Sequence, residues 1–113
     1  MTLRDIKEIL NATVLDASQD LDREVCNFCG ADMMSEALAF SHEDCTLLTG
    51  LCNPQVVRTA EMLDVHNIIF VRGKNPTPEM LDMAREKDMV VMTTEETMYN
   101  ACGKVYHALH KGE

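Results

Sequence analysis

"CTLLTGLCNPQVVRTAEML", residues 45–63, decides the fold. Cys45–Thr49 is a compact apolar run of strand length, and Gly50 ends it. Asn53 then offers a helix-capping side chain, and Pro54 falls at the first helical position, where its missing N–H costs nothing. Val56, Val57, Ala60 and Leu63 return at helical spacing and form a buried stripe. The unit reads as strand, tight turn, capped helix.

The same unit recurs twice. "NIIFVRG" (67–73) is a second apolar strand, and Thr77-Pro78-Glu79 opens a helix with Leu81 and Ala84 inside. "DMVVMTT" (88–94) is a third strand. Thr93-x-x-Glu96 reads as a capping box for a last helix carrying Met98, Ala101, Cys102, Val105 and Leu109. Upstream, Thr2 caps a first helix with Leu3, Ile6, Ile9 and Leu10 on one side. Thr13–Asp16 is a short strand. Glu24–Cys29 is another, with Val25, Asn27 and Cys29 facing one way and Glu24, Cys26 and Phe28 the other. Asp32 is placed to cap a short helix bearing Met34, Ala37 and Leu38. Successive βα units imply a parallel sheet with right-handed crossovers. The predicted fold is a single Rossmann-like α/β domain over residues 1–113, with a small, mostly parallel sheet.

The totals narrow the partners. The 113 residues suffice for one domain, and 46% are apolar. Aromatics are 4%, Trp is absent, and nine Met fill much of the core. A net charge of −9 argues against nucleic acid and against an anionic membrane surface. No apolar run has the length of a membrane span, and "MTLRDIKEIL" lacks a signal peptide's apolar stretch. The expected location is the cytoplasm, where five Cys, an odd number, form no disulfide framework.

Parallel sheets gather their ligand sites at the carboxyl ends of the strands. Here these ends lead into helix N-termini, whose unpaired N–H groups favour anions. Thr49, Gly50, Asn53, Arg72 and Thr93 are the candidate ligand-binding residues. Gly50 permits close backbone approach, and Arg72 suits a phosphate or carboxylate. Cys52 stands beside the Asn53 cap. No P-loop, G-x-S-x-G or H-E-x-x-H motif is present, so no catalytic residue is assigned and the chain is read as non-enzymatic. The alternative site is metallic. Cys26, Cys29, His42 and Cys45 form a ligand set suited to structural zinc, whereas an iron–sulfur cluster would commonly want four Cys. Against it, two thiols at C-x-x-C spacing in an extended strand point to opposite faces. The preferred reading carries no cofactor.

"LDREVCNFCGADMMSEALAF" (21–40) resembles the signature region of the DRTGG domain family. "LLTGLCNPQVVRTAEMLDVHNIIFVRG" (47–73) and "MTTEETMYNACGKVY" (92–106) resemble its small stand-alone members. Asp22 and Arg23 match the naming motif, while Glu24, Val25 and Cys26 replace Thr-Gly-Gly. Asp22 and Arg23 are expected to pair with each other at a turn or dimer contact, with Glu24 as a competing partner for Arg23. The resemblance implies a homodimeric α/β domain related to the N-terminal domain of HPr kinase, regulatory or structural in role. The natural ligand class for the site at the strand ends is a small anion or nucleotide. The family's stand-alone members also imply the alternative function, a metal- or iron–sulfur-binding accessory to hydrogenase-type redox enzymes of anaerobes.

Overall fold

The first helix forms as its cap dictates. In the computed structural model, which describes residues 1–25, 27–40 and 45–110, α1 spans Leu3–Leu10. Thr2 Oγ1 accepts the Asp5 N–H, and the Asp5 carboxylate accepts the Thr2 N–H at 3.0 Å, a reciprocal box. That backbone hydrogen bond from Thr2 holds the Asp5 carboxyl below its usual range. Asn11, at φ 49°, closes the helix in the left-handed region.

The chain continues as β1 (Thr13–Val14), β2 (Asn27–Gly30), α2 (Met34–Phe40), β3 (Cys45–Thr49) and α3 (Pro54–Met62). It ends with β4 (Asn67–Phe70), α4 (Pro78–Glu86), β5 (Val90–Thr93) and α5 (Met98–Leu109). The sheet runs β1-β5-β4-β3-β2; β2 to β5 are parallel, and β1 is antiparallel to β5. This is the α/β domain with a mostly parallel sheet that the βα units predict.

Apolar burial on both faces explains why the central strands lack alternation. Leu47, Ile68, Phe70 and Val91 pack under α2, α3 and α4, with Ala37, Val56, Ala60, Met80 and Ala84. Leu48, Ile69, Val90 and Met92 pack under α1 and α5, with Leu3, Ile6, Leu10, Ala101 and Val105. Each large side chain so buried stabilises by roughly 1.5–3 kcal/mol before entropy is charged. Strands β2 to β5 follow one another in a single direction, so crossovers of one hand put α2, α3 and α4 on one face. The order never reverses within this parallel run, and the switch-point crevice of doubly wound sheets has no counterpart here.

Three local expectations are corrected. The segment 24–29 is not one strand. Glu24 makes an isolated antiparallel bridge to Thr2, and among the described residues the ladder to β3 runs from Asn27 to Gly30. Val25 consequently packs with Phe28 in the α1/α5 cluster, while Cys29 packs against the other face. The strand read at 13–16 is two residues long, although Leu15 N–H still reaches Val91 O at 2.8 Å. The last helix is capped by Thr97, not by a Thr93/Glu96 box; Thr97 accepts the Asn100 N–H at 3.2 Å. Thr93 is still in the strand, and its hydroxyl donates to Lys74 O at 2.7 Å.

Candidate functional site

The ladder register aligns Thr49, Phe70 and Thr93 in one row across the carboxyl ends of β3, β4 and β5. Three of the candidate side chains are already committed there. Thr49 is fully buried, and its Oγ1 accepts the Leu51 N–H at 3.1 Å. Asn53 caps α3 through the Gln55 N–H at 2.9 Å, and Thr93 holds Lys74 O. These residues shape the loops.

Gly50 and Arg72 are brought together. The Arg72 guanidinium lies across Gly50, where a β-carbon would collide with it. Arg72 itself is left-handed at φ 58°, uncommon for a residue other than Gly, Asn or Asp. Both converge on Asp32. The Gly50 N–H donates to Asp32 Oδ1 at 2.7 Å, and Nη1 and Nη2 of Arg72 each stand 3.5 Å from Asp32 Oδ2. A backbone N–H and a guanidinium aimed at one carboxylate make an anion cradle. The pair is open: Arg72 is 43% and Asp32 49% exposed. An ion pair so long and so exposed contributes at most about 1 kcal/mol.

Sequence reasoning placed Asp32 at the start of α2 as its cap. Its carboxylate instead reaches Gly50 and Arg72. The signal missed was the pairing of β2 with β3, which brings Ala31 N–H to Leu48 O and so sets Asp32 beside Gly50.

Cys52, near the cradle, has its thiol pushed up by burial, with the Lys74 charge opposing. Its position therefore favours the protonated thiol over a reactive thiolate. Of the metal set, Cys26 and His42 lie outside the described residues. Cys45 is buried under α2 and α3, and Cys29 is half-buried on the same face of the sheet. Among the described residues no group of three or more His, Cys, Asp or Glu is placed to hold a metal ion.

The expected Asp22–Arg23 pair does not form. Asp22 pairs with Arg4 at 3.0 Å, and Glu24 pairs with the chain's amino terminus at 3.1 Å. Arg23, 18% exposed, turns to the amino ends of the strands. It donates to Asp20 Oδ2, Ser18 Oγ, His66 O, Asn67 Oδ1, and both Asp88 O and Oδ2. It borders a cleft of about 580 Å³ lined also by Glu24, Cys45, Lys87 and Asp88. In that cleft Arg23 is tied to six acceptors, the shortest at 2.8 Å, and Lys87 to Glu61 at 2.9 Å, whereas Arg72 in the cradle makes only two contacts of 3.5 Å.

The model of the DRTGG domain family matches residues 5–108. No curated protein matches the chain in a sequence comparison. Among solved structures, the CBS and DRTGG domains of the regulatory region of Clostridium perfringens pyrophosphatase, complexed with its activator diadenosine tetraphosphate, are similar with a TM-score of 0.77 at 20% identity. The match covers 92% of this chain and 45% of that one, so this chain spans less than half the length of the structure it resembles. At that identity the likeness is one of fold.

Proposed function

Because this chain belongs to the DRTGG domain family, we propose that it is a non-enzymatic regulatory domain that binds a small phosphate-bearing ligand at the carboxyl ends of its parallel strands. The observation that carries the reading is the convergence of the Gly50 N–H and the Arg72 guanidinium on a single carboxylate. Groups that hold a carboxylate from two sides also suit a phosphate oxygen. Lys74 and the N-terminus of α3 lie on the same side of the sheet and add positive potential. The net charge of −9 disfavours long polyanions and leaves room for one small anion. The fold shared with a nucleotide-activated regulatory region supports a nucleotide as that anion's carrier. The site of action we place in the cytoplasm, in keeping with free thiols at Cys29, Cys52 and Cys102.

The unit of action in this reading is a homodimer joined through α5 and the sheet edge at β2. Strand β2 ends the sheet and borders a groove of about 300 Å³ against α5, lined by Phe28, Leu48, Val105 and Tyr106. Tyr99 and Tyr106 are exposed on α5, and α5 holds no Asp or Glu in a chain with 19 of them. Large exposed aromatics on a face without acidic charge favour protein contact.

A melting screen with AMP, ATP, diadenosine tetraphosphate and inorganic phosphate tests the ligand. A ligand at about 100 times its Kd adds ~2.7 kcal/mol of stability, a rise of several degrees for a domain of this size. No rise with any of the four would remove the ligand from this account.

A further inference from the structure

The cradle is already filled, and by the chain's own carboxylate. We infer that Asp32 is a built-in competitor: the ligand's phosphate displaces it from Gly50 and Arg72, and the released carboxylate turns to cap α2. The inference rests on the proposed anion site.

Three observations meet here. First, Asp32 takes up both cradle groups at once, through the 2.7 Å bond from the Gly50 N–H and the pair to Arg72. A phosphate oxygen cannot use these donors while the carboxylate holds them. Second, the arrangement is made to open. The two guanidinium contacts are 3.5 Å long and the side chains are about half exposed, so water can replace the pair. A phosphate that accepts bidentately from Arg72 holds more charge and makes shorter bonds. Third, Asp32 has somewhere to go. It stands two residues before α2 (Met34–Phe40), and its carboxylate is bonded to Gly50 and Arg72, not to the first turn of that helix. Asp at this position is a favoured N-cap and would let the helix begin at Met33. Capping would satisfy first-turn N–H groups at Met34 and Ser35. The two roles of Asp32 exclude each other, which makes residues 31–35 a two-state element biased by the ligand.

The test is calorimetric titration of diadenosine tetraphosphate, ATP and inorganic phosphate into the full chain, as wild type and as Asp32→Asn, Asp32→Ala and Arg72→Gln. Circular dichroism melts would check folding, and Asp32→Asn is close in shape should the alanine fail to fold. With the competing charge gone, both Asp32 variants bind roughly five- to tenfold more tightly than wild type. Arg72→Gln binds more weakly. Tighter binding of the nucleotides than of inorganic phosphate identifies the phosphate's source as a nucleotide; equal binding identifies the free ion. In the wild type, saturating ligand slows hydrogen exchange at the amides of Met34 and Ser35. If wild type binds and Arg72→Gln weakens it, but the Asp32 variants bind no better, the competitor role is wrong and the anion site stands. Unchanged exchange at Met34 and Ser35 would refute the capping step. If nothing binds the wild type or the Asp32 variants, the site and the competitor fall together.

Discussion

Arg23 holds Asp88 by two atoms at once, donating through Nη2 to its backbone carbonyl at 2.8 Å and to its carboxylate at 2.9 Å. The contact spans 65 residues and joins the turn before β2 to the turn before β5. Asp88 is left-handed at φ 54°, so Arg23 secures a bend that the chain must make to enter β5. In this chain the Arg of the family motif works as a structural clasp.

Replacing Arg23 with Gln therefore removes charged hydrogen bonds from a largely buried side chain and costs about 2 kcal/mol in urea unfolding. Asp22, the adjacent motif residue, sits in an exposed pair with Arg4, and Asp22→Asn changes stability by less than about 0.5 kcal/mol. Equal effects from both would contradict the division of roles.

Gly50→Ala separates stability from binding. The added methyl meets only the far end of the Arg72 side chain, and Gly50 does not have positive φ. Melting stability should change by less than about 1 kcal/mol. The guanidinium must nevertheless leave its place over residue 50, so phosphate-ligand binding by calorimetry should weaken severalfold.

The thiols give a pH signature. Burial pushes the Cys52 thiol up, and the Cys102 thiol is pushed up by burial and then by Cys29. A folded-state value above the unfolded one means that these groups favour folding at pH below the ordinary thiol range of about 8.5. That contribution is lost as pH rises through the folded values. Urea midpoints should fall from pH 7.5 toward pH 10, and the fall should shrink in a Cys52→Ser/Cys102→Ser double variant. Iodoacetamide at pH 7.5 should label both sites slowly in peptide mapping, and rapid labelling of Cys52 would mark it as a thiolate.

The proposed dimer contact can be tested by charge substitution. Tyr99→Glu with Tyr106→Glu places two carboxylates on the exposed face of α5 without touching the buried Ala101 and Val105. Light scattering should report a dimer for the wild type and a monomer for the double variant, each with native circular dichroism. A monomeric wild type would remove the dimer from the account.

Much of the fold was legible because its signals are local. Asn53-Pro54, Thr77-Pro78 and Thr2-x-x-Asp5 carry their helix starts within a few residues, and the apolar strands β3, β4 and β5 stand out by composition. Thr97 was obscured by a better-looking Thr93-x-x-Glu96 pattern, which failed because the β4–β5 ladder keeps Thr93 extended and Lys104 binds Glu96 at 2.7 Å. The site was legible only in part for a different reason. Gly50 and Arg72 announce themselves at strand ends, but Asp32 joins them across 18 and 40 residues through strand pairing. No local pattern encodes that meeting. The Arg23 contacts with His66, Asn67 and Asp88 were hidden in the same way.

The most direct test of the anion cradle is the backbone amide resonance of Gly50 in a titration of the wild-type chain with diadenosine tetraphosphate. A saturable shift at Gly50 is expected, shared by the Arg72 side-chain resonances and reached only at higher ligand concentration in Arg72→Gln. A Gly50 resonance that stays fixed while the ligand binds elsewhere would contradict the anion cradle.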